Sequence, residues 1–530
     1  MFEALTWAEN VFLPPAASSS LRRKTAAYFI EGAALFALLG GFAWVYLTHG
    51  VNVGAYFAAD ALYLPALMQD LIEDGGRYSD WNLTPSPYYL PDWPMFAISH
   101  VVTGGNTYYS ILAFSLLQFS GAYLLMRAIY SEVFADGRAP VFALVCVAVL
   151  ISMCIDAVPI VQDARISGHH FGEFLVILLA LWMSVQILRS PTPQWPRVAG
   201  LCLIAFLTGL SDALFVIIHY GFAAILTADF LWRRTEVAGR QFLAVGLLPG
   251  LSAFIGSRFT LLAMPADNKF DYRFGFEYFD GNVDRVEILT RAVLNADILP
   301  MLVIPAFYVA TLGVLAWHFW RGVLRDHTSA YLVLTFAMAA MLLILTMALF
   351  INVGIPGRYV TPAFVLPIAL LFVPLVLVRN RLVSLGAPIL VGALAAGSIG
   401  VTVAANGAGF HSGFYPGDVA CIDREVSQRG LTFGISQYWT AKYVTALSHD
   451  GIRLVSVHGD LRDNPWINSS AWYRSAYDFA IVEESASPNF RLDAAKLRSL
   501  NGEPAFTARC GGYTILGYPS GGLMTAKPDP

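Results

Sequence analysis

The sequence is poor in charge. Of its 530 residues only 13% are Asp, Glu, Lys or Arg, against about 25% in a soluble domain. The net charge is −4 and no basic stripe appears, so nothing points to nucleic acid. Cysteine is scarce, with 5 in the chain and no CxxC pair. The patterns GxxxxGK[ST], HExxH and GxSxG are absent. ATP-driven transport and zinc hydrolysis in their usual forms are thereby disfavoured. No internal repeat or low-complexity tract is present. No cleavable signal peptide is expected, because the first apolar run follows Arg22, Arg23 and Lys24 and is too long for one.

What is abundant is apolar surface. The chain is 57% hydrophobic with a mean hydropathy of +0.58. It reads as a polytopic α-helical membrane protein. Segments of about 20 apolar residues fall near 26–48, 106–130, 139–158, 171–189, 198–211, 213–232, 241–262, 299–320, 329–351, 359–378 and 386–405. About eleven spans are expected. The pair around Ser211-Asp212 is read either as a tight turn or as a polar break. Residues 1–25 read as a cytoplasmic tail with an interfacial helix at Phe2 to Leu13. Every second short loop carries Lys or Arg, including Arg22 to Lys24, Arg127 and Arg138, Arg189 and Arg197, and Arg379 and Arg381. By the positive-inside rule those loops are cytoplasmic. Loops 49–105, 159–170, 263–298 and 352–358 then face outward, as does the tail from about 406.

That tail has a different composition. Strand-like runs (431–436, 453–457, 477–482, 505–509, 513–518) alternate with helical runs (441–448, 492–500). Residues 406–530 are expected to form a small extracytoplasmic α/β domain, and residues 1–405 the transmembrane domain. Cys421 and Cys510 bracket it. If the tail lies outside the cytoplasm they can form a disulfide; otherwise they are two free thiols. Cys146, Cys154 and Cys202 lie in apolar runs and read as packing residues.

The chemistry is expected in residues 55–96, AYFAADALYLPALMQDLIEDGGRYSDWNLTPSPYYLPDWPMF. This stretch mixes carboxylates with aromatic rings beside a membrane segment, a composition suited to the water–headgroup boundary. Leu64 to Asp74 fits a short amphipathic helix stopped by Gly75-Gly76, and Pro85, Pro87, Pro91 and Pro94 favour extended or turning backbone. Asp60 reads as a general base or as a plain helix cap. In the second outer loop, Asp163, Arg165, His169 and His170 suit a phosphate, a proton shuttle or metal ligation, and Glu173 enters the following span. The bland reading is a polar loop. Asp212 lies between two apolar runs. Arg358-Tyr359 opens a late span, where a guanidinium either clamps a lipid phosphate or snorkels to headgroups. Tyr438, Trp439, Trp466, Trp472 and Tyr473 read as sugar-stacking rings or as core, with core favoured.

An outward-going first span, an outer loop opening with Phe57-Ala-Ala-Asp60-Ala-Leu-Tyr63, a juxtamembrane helix, Arg358-Tyr359 and a C-terminal outer domain resemble the GT-C superfamily. Its members are integral-membrane glycosyltransferases that use polyprenyl-phosphate-linked sugars. Many carry two adjacent acids in this loop. Here Ala61 follows Asp60, which leaves Asp80 or Asp92 for the second role. The resemblance implies that Asp60 is the catalytic base. It implies an inverting single displacement, with Arg358, Arg165 or His169 meeting the charge on the lipid phosphate. It also implies a glycan, lipid or protein acceptor and a bacterial inner-membrane, periplasm-facing enzyme. No cofactor is fixed by a motif; a divalent cation stays open. The rival readings are a transporter or flippase and a non-catalytic assembly protein.

Overall fold

A computed structural model describes residues 21–526 except 167, 169, 191, 193, 235, 264–272, 325–326, 353–356, 379, 407–408, 487–489 and 519–520. The expected helix at residues 2–13 lies outside this range. The chain opens with α1 (Leu21–Leu47). Helices α2 (Tyr63–Ile72) and α3 (Asp92–Val102) lie in the loop that follows. Then come α4 (Thr107–Val133), α5 (Ala139–Ile155), α6 (Phe171–Arg189), α7 (Trp195–Ser211) and α8 (Ala213–Arg233). Helix α9 (Glu236–Gln241) passes through a π turn into α10 (Leu248–Ala263). Next are α11 (Phe279–Leu294), α12 (Ile298–Arg321), α13 (Thr328–Phe350), α14 (Thr361–Ala369) and α15 (Arg381–Ala405).

Among the described residues, eight helical stretches are long and apolar enough to cross a membrane: Thr25–Leu47, Thr107–Val133, Phe171–Arg189, Leu214–Leu231, Ala238–Thr260, Ile298–Arg321, Thr328–Phe350 and Leu382–Ala405. The three remaining expected segments are shorter apolar helices, Ala139–Ile155, Trp195–Ser211 and Thr361–Leu377. Phe29, Phe36, Leu124, Val309, Phe319 and Val401 are largely exposed. Large apolar side chains turned outward from long apolar helices mark a lipid-facing surface. Helix α5 is the reverse case: every residue from Phe142 to Ile155 is buried, so it forms the centre of the bundle. Helices α7 and α10 approach very closely. A Cβ on Gly209 would collide with the Ala253 carbonyl, and one on Gly256 with the Phe206 carbonyl. Small residues at such crossings let helix backbones pack in contact.

Helix α3 departs from expectation. Its Pro91 and Pro94 read as breakers, yet Pro91 is the N-cap residue and Pro94 falls in the first turn. There a missing N–H costs nothing, because the first four have no partner within the helix. Its Ile98, Val101 and Val102 are exposed, as suits a helix lying at a membrane surface.

After α15 come α16 (Gly417–Ser427), β1 (Phe433–Ser436), α17 (Tyr438–Leu447), β2 (Arg453–Ser456), β3 (Phe479–Glu483), α18 (Ala494–Asn501), β4 (Phe506–Cys510) and β5 (Tyr513–Gly517). The strands make one mixed sheet of order β2-β1-β3-β5-β4. Strands β2, β1 and β3 are parallel, while β5 runs antiparallel to both β3 and β4. Side chains alternate between faces, as the strand period demands. Leu454, Phe479, Ile481 and Ile515 pack with α16 residues in a separate core. Val455, Ala480, Val482 and Leu516 belong to the same apolar cluster as the bundle helices. Cys421 and Cys510 are bonded, with Cα atoms 5.5 Å apart.

Polar contacts pin the sheet to the loop after α1. The Asn82 N–H donates to the Asn468 carbonyl at 2.9 Å, and Arg453 pairs with Asp74 at 2.9 Å. The buried Asp70 carboxylate accepts from the indoles of Trp81 at 2.7 Å and Trp472 at 3.0 Å, one from each partner surface. Lys442 of α17 is enclosed beside them, its Nζ 5.4 Å from the centre of each indole.

Candidate active site

A cavity of about 840 Å³ opens where the loop after α1 meets the sheet. One wall comes from Asp60, Tyr63, Thr84 to Ser86, Tyr88, Gly168 and Tyr359. The other comes from Gln437 to Trp439, Val457 to Gly459, Arg462 to Ile467 and Phe490. In the second wall, Gln437 to Trp439 directly follow β1 and Val457 to Gly459 directly follow β2. The chain goes from β1 to β2 on one side and later returns to β3 on the other, so the strand order reverses beside β1. Crevices at the carboxyl ends of parallel strands at such a reversal are the usual ligand sites of open sheets.

Asp60 is half-buried in the turn before α2. The Tyr438 hydroxyl donates to its Oδ1 at 3.0 Å across the cavity. Tyr438 is the first residue of α17, directly after β1, so the sheet aims it. Its neighbour Gln437 is held by a hydrogen bond of 2.7 Å from Nε2 to Glu483 at the end of β3, and the Thr440 hydroxyl donates to the same oxygen at 2.7 Å. Trp439 is 44% exposed and meets Phe490 edge to face, which offers a ring surface inside the cavity. Of the aromatic candidates, Tyr438, Trp439 and Trp466 line the cavity. Trp472 is buried against Asp70, and Tyr473 is held by the carbonyls of Ser456 and Asn464.

Behind the first wall lies a buried polar cluster. His170 Nε2 meets the Tyr88 hydroxyl at 3.3 Å, and its Nδ1 meets the Asp212 carboxylate. The Tyr359 ring lies over the imidazole, with centres 4.7 Å apart. Tyr88 and His170 both have left-handed backbone, with φ of +61° and +64°. Such conformations cost about 1 kcal/mol or more each and cluster at functional sites. Asp212 is the whole break between α7 and α8. It caps α8 through the Leu214 N–H at 3.1 Å and accepts from Ser86 at 3.2 Å. Asp92 Oδ2 accepts the Gly168 N–H at 3.1 Å. Burial pushes the Asp92 carboxyl up to about 7, although the Gly168 N–H pulls it back. Glu173 Oε2 stands 3.8 Å from His170 Nδ1. Among the described residues, His170, Glu173 and Asp212 are a group able to hold a metal ion.

The candidates from the sequence therefore divide. Asp60 and Tyr359 line the cavity, and His170, Asp212 and Asp92 gather behind it. Asp80 does not line the cavity; it pairs with Arg77 at 3.1 Å. Asp163 and Arg165 lie in the 3₁₀ turn Val161–Arg165, and neither lines the cavity. Arg165 is fully buried, bonded to the Cys154 carbonyl at 2.9 Å and to Gln162 at 3.2 Å. The Tyr56 ring covers it at 4.5 Å. These contacts give Arg165 a structural role. His169 and the Arg358 side chain lie outside the described residues. Sequence reasoning passed over Tyr88, Gln437, His458, Arg462 and Glu483. Position just after a parallel strand is the signal that marks Gln437 and His458.

No protein-family model matches the chain, and neither does any curated protein. Two solved structures of the Archaeoglobus fulgidus oligosaccharyltransferase are similar to it, each with a TM-score of 0.43. The apo form shares 13% identity over 86% of this chain and 70% of that one. The form tethered to an acceptor peptide shares 12% over 86% and 69%. At that score the likeness carries no argument here.

Proposed function

We propose that this multi-pass protein is a glycosyltransferase that moves a sugar from a polyprenyl-phosphate carrier to a cell-envelope glycan, lipid or protein. It would work at the outer face of a bacterial plasma membrane. The observation that carries the reading is the placement of Asp60: a carboxylate on the wall of a large cavity, between apolar helices and the ligand-binding edge of a sheet. In this reading a lipid-borne donor enters from the membrane side and a water-borne acceptor from the other. The resemblance of the Asp60 loop to GT-C enzymes supports the same chemistry, and the missing nucleotide motif agrees with a donor activated on lipid.

In this scheme Asp60 takes the proton of the acceptor hydroxyl as that oxygen attacks the anomeric carbon. The bond to the new acceptor forms as the bond to the lipid phosphate breaks. The phosphate leaves with the electron pair, and the anomeric centre inverts. Tyr438 donates a hydrogen bond to Asp60 and holds it in register. His458 and Arg462 line the cavity, and Arg358 precedes Tyr359 in sequence; the guanidiniums meet the charge that develops on phosphate, and the His458 ring offers it a hydrogen bond. Trp439 and Phe490 offer rings to a sugar face.

The test is complementation of a strain lacking the gene with wild type or Asp60→Asn at matched expression, with envelope glycans read by mass spectrometry. Wild type should restore one missing sugar and Asp60→Asn should not, with a rate loss of about 100-fold or more. Full restoration by Asp60→Asn makes Asp60 a helix cap. A deletion that leaves every glycan unchanged moves the transporter and assembly readings ahead.

A further inference from the structure

Three carboxylates and one imidazole are enclosed behind the cavity wall, and none is more than 3% exposed: Asp92, His170, Glu173 and Asp212. Among the described residues no Lys or Arg pairs with any of them; the ion-pair partners are His170 with Asp212 and His170 with Glu173. Even with the imidazole protonated, the ionised cluster would carry two unbalanced negative charges out of water, a severe cost. Two further observations ask for a partner. With the carboxyls ionised, neither oxygen of Glu173 meets a donor among the described residues, and neither does Oδ1 of Asp92; a protonated Glu173 would instead bond to Asp212. Ligand atoms of His170, Glu173 and Asp212 also lie within 4.8 Å of one another. That is close to the span of two donors on opposite sides of an ion bound at about 2.0–2.2 Å.

We infer that this cluster is a divalent-cation site, held by His170, Glu173 and Asp212 with Asp92 beside them. One nitrogen and several carboxylate oxygens, with no sulfur, suit Zn²⁺ or Mn²⁺. With His170 neutral as a ligand, the ion offsets two of the three carboxylate charges. It ties together segments far apart in sequence, namely the start of α3, the start of α6 and the break before α8. With Nδ1 on the metal side, His170 Nε2–H donates to Tyr88, the usual outer-shell arrangement for a ligating imidazole. Tyr88 and Tyr359 both touch His170 and both line the cavity, so the ion positions that wall. It is separate from Asp60, and the inference stands whether or not a sugar is transferred. The competing state is a cluster balanced by protons alone.

The experiment is elemental analysis of the full-length protein, purified on a metal-free affinity tag without chelator from cells grown with zinc and manganese. Wild type should carry about one ion per chain. X-ray absorption at that metal's edge should show nitrogen and oxygen ligands without sulfur. Glu173→Gln and Asp212→Asn should each lower the occupancy about 10-fold or more, while His458→Gln, at a different histidine, should retain it. Folded, monodisperse wild type with less than about 0.1 ion per chain overturns the site in favour of the protonated cluster. A full equivalent retained by Glu173→Gln overturns the ligand set. If the variants do not fold, the wild-type content and its absorption spectrum still decide.

Discussion

Lys442→Met is the sharpest test of how the C-terminal sheet is seated. The Lys442 ammonium is enclosed between Trp81 and Trp472, and among the described residues its Nζ has no hydrogen-bond partner. Burial pulls its pKa from 10.5 down to about 7, and the nearby Asp70 carboxylate pulls it part of the way back. The folded protein therefore binds this proton more weakly than the unfolded chain does. Between pH 10.5 and 7 the unfolded chain holds the extra proton, so stability falls as pH drops through that window and levels off below it. The gap of about 3.5 corresponds to about 5 kcal/mol. Two indole faces return about 0.5–2 kcal/mol each to the charged form, which leaves roughly 1–4 kcal/mol. Lys442→Met keeps the shape of the side chain and removes the charge. At pH 6.5 its melting temperature should exceed that of wild type by roughly 2–15 °C. Its profile from pH 6.5 to 10 should be flatter by the same amount. The assay is a thiol-dye or tryptophan melt in detergent. A variant less stable than wild type at pH 6.5 would refute the reasoning, because the indoles and Asp70 would then more than repay the desolvated ammonium.

Three further outcomes follow from the geometry. Tyr438→Phe removes the hydroxyl on Asp60 at 3.0 Å; it should lower turnover about 10-fold with little change in KM, and an unchanged pH–rate profile would place Tyr438 outside the chemistry. Arg165→Leu should lower the melting temperature by several degrees yet leave turnover per folded molecule within about 3-fold of wild type, whereas a 100-fold loss would return Arg165 to the phosphate. Reducing Cys421–Cys510, which closes a separation of 89 residues, should cost about 4–5 kcal/mol of stability in the C-terminal region; a melt insensitive to dithiothreitol would argue against that cost.

The long helices were legible because apolar runs of membrane length have few alternatives. The strands of the sheet were legible because each is a short apolar run between turn residues. Asp60 and His170 stood out as ionisable groups beside spans. What could not be read was partnership. Nothing local to Arg165 says that Tyr56 and the Cys154 carbonyl will enclose it, and nothing near Lys442 announces two indoles and a carboxylate from another part of the chain. Those meetings are set by tertiary packing. Helix α3 was missed for a narrower reason: a proline breaks a helix interior and is harmless in a first turn, so everything hinges on where the helix starts.

Asp60 and Tyr438 are separated by 378 positions. Asp60 is therefore made long before the tyrosine that faces it across the cavity. A nascent or truncated chain that ends before β1 carries the acid with nothing opposite it. Under the proposed activity, Asp60 gains its partner only once the sheet that carries Tyr438 has docked.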